Sequence, residues 1–233
     1  MSTFVISLGG SLVSPEATAE AGQAGRVDVA FLKKFRAVIL KYVKQGHRFA
    51  IIVGGGKVCR AWQDAARTLG VKSSDDLDWV GIRATHLNME LVRAVFGNMA
   101  HFKVMENPHE KVAKFKILFG AGYKPGVSSD YDAVVRAKSV GAKTVVNLSN
   151  VAYVYDKDPR AFQDAKPLRE VSWKEYLKMT GERYTPGMNA PFDPVASKTA
   201  RDAKIQVAFM DGHNLKSFES FLQGKTFKGT VIG

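Results

Sequence analysis

The stretch Ile51-Ile52-Val53-Gly54-Gly55-Gly56-Lys57-Val58-Cys59-Arg60 constrains the fold of this chain more than any other. An apolar run of strand character passes into three consecutive glycines, and a basic helical run opens directly behind them. Three glycines strip every Cβ from one turn, so main-chain N–H groups can approach a ligand closely. A strand before the turn and a helix N-terminus after it make an anion cradle, for which phosphate is the natural occupant. Arg60 lies one helical turn in, where a guanidinium can clamp a phosphate through two bonds.

Two other strand-to-turn junctions carry glycines: Gly9-Gly10-Ser11, and Gly120-Ala121-Gly122 leading to Pro125-Gly126. In an open parallel sheet such turns gather at the carboxyl edge of the strands, where ligands bind. Three of them can surround a polyphosphate with backbone donors. There is no Gly-x-x-x-x-Gly-Lys-Ser/Thr motif, so the chain is not a P-loop enzyme, and there is no strong dinucleotide fingerprint either. The five histidines have no ligand spacing among themselves or with Cys59, which argues against structural zinc. No Gly-x-Ser-x-Gly elbow points to a hydrolase.

The spacing predicts an alternation of strands and helices. Strands are expected at 3–8, 48–53, 115–119, 143–148, 205–210 and 229–232. Helices are expected at 57–69, 76–98, 130–140, 173–178, 193–202 and 214–222, with a further one capped by Asp28 and carrying Phe31, Leu32, Phe35, Val38, Ile39 and Tyr42 on one face. Residues 14–26 read as a mobile surface loop, and 150–187 as short strands, a small helix and Pro/Gly turns. This rhythm predicts a mostly parallel sheet covered on both faces, a three-layer αβα sandwich. Its 233 residues fit one domain with a soft lobe division, about 1–145 and 146–233.

Composition narrows the class of partner. Hydrophobic residues make up 45% of the chain, enough for a sizeable core, and no apolar run reaches the ~18–20 residues of a membrane span. The first residues lack the basic and apolar regions of a signal peptide. The single cysteine suits a reducing, cytoplasmic setting. A net charge of +12 favours anionic partners. The basic residues are scattered, and without an aromatic-basic recognition motif nucleic acid is not the expected ligand.

Further polar groups interrupt the apolar pattern. Asp78, Thr85 and Asn88 lie on or open one helix, and Asp78 is placed to accept from ribose hydroxyls or simply to favour a helix start. Ser128, Ser129 and Asp130 stand at another helix start, either as a cap or as phosphate ligands, with Asp130 orienting a cationic group or holding Mg2+. Tyr155 is suited to stacking on a purine and Asp158 to holding its ribose, unless they form a plain hairpin. Asp193 with Pro194 marks another helix start, and Lys198 lies about one turn beyond.

Taken in order, these motifs resemble the amino acid kinase superfamily, and within it the uridylate (UMP) kinases of the archaeal type. The resemblance runs from about residue 3 to the C-terminus. It is carried by Ile6-Ser7-Leu8-Gly9-Gly10-Ser11-Leu12, Val53-Gly54-Gly55-Gly56-Lys57 with Arg60, and Asp78 followed by Gly81-Ile82-x-Ala84-Thr85-x-x-Asn88. It continues through Pro125-Gly126-x-Ser128-Ser129-Asp130, Asn150-Val151-x-x-Val154-Tyr155-x-x-Asp158-Pro159 and Asp193-Pro194-x-Ala196-x-Lys198. The glycine turns belong to the whole superfamily; the Asp78 helix is the part that looks specific to uridylate kinases.

The resemblance implies transfer of the ATP γ-phosphoryl group to UMP with Mg2+ in pyrimidine nucleotide biosynthesis. It implies that Gly10, Ser11, Gly56 and Arg60 meet ATP phosphates, while Ser149, Asn150, Tyr155 and Asp158 line the adenosine site. It further implies that Gly55 and Asp78 hold UMP, with Tyr123, Lys124, Pro125, Gly126, Val127, Ser128 and Ser129 enclosing its phosphate. Arg60, Asp130 and Lys198 are the catalytic candidates, and a hexamer built from dimers is the implied assembly.

The chain departs from the pattern twice. Many superfamily kinases have lysine where this chain has Ser7, leaving Lys57, Lys198 or Mg2+ as candidate substitutes. The usual Asn-Val-Asp-Gly-Val-Tyr reads Asn150-Val151-Ala152-Tyr153-Val154-Tyr155, which alters the loop at the nucleotide edge. These departures leave two competing readings open: another small-molecule kinase of the superfamily, and a non-catalytic nucleotide- or oxyanion-binding or storage protein.

Overall fold

A computed structural model of the protein describes residues 2–15, 27–159, 161–181, 183 and 190–233. The loop expected at 14–26 therefore lies largely outside the described residues, as do 184–187 of the mixed segment.

The strands are the apolar runs. β1 (Thr3–Leu8), β2 (Arg48–Val53), β3 (Ile117–Gly120), β4 (Thr144–Ser149) and β8 (Gln206–Asp211) pair in parallel. With β9 (Thr230–Ile232) and β7 (Glu170–Val171) they form one sheet among the described residues, in the order β3-β2-β1-β4-β8-β9-β7. A strand buried on both faces needs apolar side chains at every position rather than at alternate ones. Ile51, Ile52 and Val53 of β2 are all fully buried for that reason.

Alternation along each strand then divides the core in two. Ile6 and Leu8, Phe49 and Ile51, and Val146 and Leu148 face α2 (Val29–Lys44), α4 (Ser74–Phe96) and α8 (Leu215–Leu222). Phe35 of α2 lies at the centre of this layer, edge-on to Phe96 and stacked on Phe218. Val5, Ala50 and Ile52, Val145, Val207 and Phe209 face α5 (Ser129–Val140), α6 (Trp173–Thr180) and α7 (Pro194–Asp202). The expected αβα sandwich follows from these two layers.

Two features depart from the sequence reading. The final strand is parallel to β7 but not to β8: Val207 lies opposite Ile232 and Phe209 opposite Thr230, with β9 running against β8. The reason lies in the connection. After α8 the chain doubles back beside that helix, where the Ser217 hydroxyl donates to Lys228 O (2.9 Å) and accepts from Lys228 N–H (2.8 Å). It is thus delivered to the carboxyl end of β8. In addition, the turn after β1 is itself a short helix, α1 (Gly10–Val13), because Gly10 takes up helical hydrogen bonding directly.

Helix ends follow local chemistry. Asp28 caps α2 by accepting from Phe31 N–H (2.8 Å), as the sequence predicts. α4 begins and ends two residues earlier than 76–98, since Ser73 caps it and Gly97, with φ +53, terminates it. β5 (Val154–Tyr155) and β6 (Pro167–Leu168) form a separate small hairpin.

Candidate active site

β1 and β2 are neighbours in register, Leu8 beside Val53, so the two glycine turns that follow them lie side by side. Gly54 N–H donates to Leu8 O (2.9 Å), and Gly9 N–H donates to Leu148 O (2.8 Å) on the other flank. The turns then interlock. A Cβ on Gly10 would lie 2.1 Å from Gly56 N, and one on Gly56 would lie 2.3 Å from Gly10 O. Gly56 also has φ +63, a conformation that side chains disfavour. Glycine is required at both positions by space, and at the second by backbone conformation as well.

The orientation of the turn is set from behind. Asn88 on α4 donates from Nδ2 to both Gly54 O (3.0 Å) and Gly55 O (2.9 Å). In a trans peptide the C=O and the next N–H point opposite ways, so the N–H groups of Gly55 and Gly56 face away from α4. Together with the N–H groups of Gly10 and Ser11, they donate to no acceptor among the described residues. Main-chain donors left open beside the start of α3 (Gly56–Thr68) have the geometry that suits an anion. Arg60, in the first turns of α3, spans the two loops by donating from Nη2 to Ser11 Oγ (3.2 Å).

The third glycine turn behaves differently from the sequence reading. Gly122 N–H donates to Thr85 Oγ1 (2.9 Å), Tyr123 N–H to Asp132 Oδ2 (3.1 Å) and Gly126 N–H to Asp78 Oδ2 (2.7 Å). These three amides are already engaged by side chains, unlike those of Gly10, Ser11, Gly55 and Gly56. The segment still approaches the cradle. Ser129 Oγ would sit 3.5 Å from a Cβ on Gly54, and Lys124 and Gly126 remain exposed.

A polar cluster lies beneath the cradle. Ser7 and Asn147 are register partners on β1 and β4, and both point to the α5 side of the sheet. The Ser7 hydroxyl donates to Asp130 Oδ1 (2.7 Å), Asn147 Nδ2 donates to the same oxygen (3.0 Å), and Asp193 N–H donates to Oδ2 (3.3 Å). Although Asp130 as a residue is only half-buried, loss of water around its carboxyl pushes it up to about 7; the Ser7 hydrogen bond opposes this and the Asp193 charge adds to it. Asp132 is fully buried, and burial pushes its carboxyl up to about 8 against the opposing hydrogen bond from Tyr123. Burial likewise raises Asp193, which caps α7 by accepting from Ala196 N–H (2.7 Å). Ser128 acts as a helix cap, accepting from Asp130 N–H (3.2 Å).

The remaining predicted residues fall into two groups. Ser149 closes β4, and its Cα would lie 3.6 Å from a Cβ on Gly9, so it adjoins the first turn. Asn150 is exposed just beyond it. Tyr155 lies on β5 and Asp158 in the connection between β5 and β6. Tyr155 packs edge-on to Tyr153 at 6.4 Å, and Asp158 O accepts from Ala161 and Phe162 N–H (3.1 and 2.9 Å). Lys198 is half-buried on α7, whose first residues touch Asp130 through Asp193. Cys59 packs against Gly55 and Gly81, and burial pushes its thiol up to about 11, so it serves as packing.

Sequence reasoning missed Asn147 and Asp132. Asn147 had a usable signal: it interrupts the apolar run Thr144-Val145-Val146-Asn147-Leu148 as Ser7 interrupts β1. Polar residues inside the buried stretches of two strands have to find partners, and here they share one.

Known proteins fit this geometry. Residues 2–109 and 114–211 match the amino acid kinase family. The uridylate kinase of Sulfurisphaera tokodaii is 33% identical over 202 residues, covering 84% of this chain and 88% of that protein. That of Methanoregula boonei is 32% identical, covering 97% and 93%. The crystal structure of uridylate kinase from Archaeoglobus fulgidus superposes with a TM-score of 0.78 at 26% identity, covering 100% of this chain and 99% of that one. With most of its length matched and its open amides arranged on interlocked glycine turns, this chain belongs to the amino acid kinase family.

Proposed function

We propose that this chain transfers the γ-phosphoryl group of ATP to UMP, giving UDP and ADP. The observation that carries the reading is the pair of interlocked glycine turns with open main-chain donors, bridged by Arg60 and Ser11. The resemblance to archaeal uridylate kinases over nearly the whole chain supplies the acceptor. Phosphoryl transfer asks for in-line positioning and neutralisation of charge more than for covalent chemistry. A UMP phosphate oxygen is already an anionic nucleophile, so no general base is needed.

In this reading Gly10, Ser11, Gly56 and Arg60 take the ATP phosphates, and Ser149, Asn150, Tyr155 and Asp158 the adenosine. Gly55, Asp78 and segment 123–129 take UMP, so that the acceptor lies towards the N-terminal lobe and the adenosine towards the C-terminal one. Asp130 bears on the serine that stands in place of lysine at position 7. Ser7 and Asn147 both donate to Asp130, and burial raises its carboxyl, which lessens the need for a cation beside it.

Mg2+ enters with ATP as part of the donor substrate. Both Asp130 oxygens already accept hydrogen bonds, and the described residues contain no cluster of three or more metal-ligating side chains. Mg2+ commonly relies on substrate phosphates for such sites. Lys198 on α7 is the cation proposed to follow the transferring group. Trp79, Leu87 and Leu91, exposed along α4, are a surface on which subunits of a homo-oligomer would meet. No helix among the described residues is long and apolar enough to cross a membrane.

Coupled ADP release with UMP, CMP, GMP, AMP and an amino acid acceptor side by side tests the reading. Turnover with UMP well above the others is expected. Transfer to a carboxylate but not to UMP, or tight ATP binding with no turnover on any nucleotide, would overturn it.

A further inference from the structure

The loop after β3 is clasped from two sides. From α4, Asp78 Oδ2 holds Gly126 N–H (2.7 Å), Thr85 Oγ1 holds Gly122 N–H (2.9 Å), and His86 Nε2 meets Gly122 O (3.0 Å). From α5, Asp132 Oδ2 holds Tyr123 N–H (3.1 Å). α5 is the helix into which the loop itself runs, so Asp132 ties the start of the loop to the element at its end. Without that bond, the hydrogen bonds that hold Gly122 and Tyr123 among the described residues come from α4.

Packing alone does not account for Asp132. It is 0% exposed, as are its neighbours Ala133 and Val134, which fill the apolar layer against the sheet. A carboxyl group taken out of water is unfavourable unless hydrogen bonds offset the loss, and an apolar side chain would fill the space without that penalty. Asp132 Oδ1 has no hydrogen-bond partner among the described residues. The contact with Tyr123 is therefore what the side chain provides.

We propose that Asp132 is a positioning residue for the acceptor: by holding Tyr123 N–H it sets where segment 123–129 closes over the phosphate of UMP. This rests on the acceptor reading given above. Asp132 touches neither nucleotide; it acts through the loop backbone, and its effect is on UMP affinity rather than on the donor.

The test compares Asp132→Val, which removes the acceptor oxygen, with Asp132→Asn, which keeps one for Tyr123 N–H. Initial rates of ADP release are measured with UMP varied at saturating ATP and then the reverse, together with hydrogen exchange of the peptide spanning 121–128. The valine variant should raise KM for UMP by ~10-fold or more with KM for ATP within about 2-fold, and should speed exchange at Tyr123. The asparagine variant should recover most of both. A parallel rise in the two KM values, no change in either, or an asparagine variant that behaves like valine would overturn the proposal. Should the valine chain fail to fold, Asp132→Ser, too short to reach Tyr123, replaces it with the same expectations. If the wild-type chain transfers nothing to UMP, the functional reading fails by itself. Exchange at Tyr123 then still decides the role of Asp132, and unchanged protection in the valine variant would sink it.

Discussion

Substituting Gly10 with alanine should separate the two glycine turns. The added Cβ would lie 2.1 Å from Gly56 N and 2.5 Å from the carbonyl atoms of Gly54, all of them backbone. Ordinary contact begins near 3.4 Å, so the turns must part by about 1.3 Å, the difference between 3.4 and 2.1 Å. No flexible side chain is available to absorb the shift. A displacement of about 1 Å in a positioned site lowers the rate on the order of 10²-fold, and kcat/KM for both nucleotides should fall by about that factor. Overpacking of this kind also destabilises by about 1–3 kcal/mol, a drop of several degrees in Tm for a chain of this length. The control is Gly141→Ala. Gly141 ends α5 at φ +72 with nothing within 4 Å, so alanine there is strained by ~1 kcal/mol but displaces no neighbour. Steady-state ADP release and thermal melts on both variants separate the two effects. Wild-type kcat/KM in Gly10→Ala, or equal loss of activity in Gly141→Ala, would refute the argument that contact between the turns builds the site.

Three further outcomes are expected. Arg60→Ala should lower kcat by ~10²-fold or more, since the guanidinium spans the two turns; near-wild-type turnover would remove it from the mechanism. Asp78→Ala should raise KM for UMP far more than KM for ATP, because it frees Gly126 N–H and loosens the acceptor loop; equal effects on both substrates would count against that role. Stability should fall as pH rises. Asp132, raised to about 8 in the fold, keeps a proton that the unfolded chain releases near 4, so its contribution is fully present below that value and is lost as pH rises through 8. One such proton is worth up to ~1.4 kcal/mol per pH unit, and Asp132→Asn should gain on wild type by more than about 1 kcal/mol between about pH 5 and about pH 8 in denaturant melts. A constant difference across that range would show that the carboxyl is ionised throughout.

Those features of the fold that depend on neighbours in sequence were legible beforehand. Val53 gives way to Gly54, Asp28 and Asp193 cap helices, and Phe31, Phe35 and Ile39 share a helix face because each obeys a short-range period or a local hydrogen bond. What was not legible depends on contacts between distant segments. Ser7, Asp130 and Asn147 meet from β1, α5 and β4, the first pair 123 positions apart in sequence. The direction of β9 depends on Lys228 folding back to Ser217, which the residues of β9 do not encode. The third glycine turn looked equivalent to the other two because glycines mark turns whether or not the amides stay open. Asp78, Thr85 and Asp132, arriving from two other helices, engage three of its amides.

A crystal structure of the chain with UMP and a non-hydrolysable ATP analogue tests the central claim most directly. The UMP phosphate and the analogue's terminal phosphate should meet between Gly9–Ser11 and Gly54–Gly56, with the open amides of Gly10, Ser11, Gly55 and Gly56 donating to their oxygens. Nucleotides bound elsewhere, or phosphates held by side chains while these four amides remain free, would contradict it.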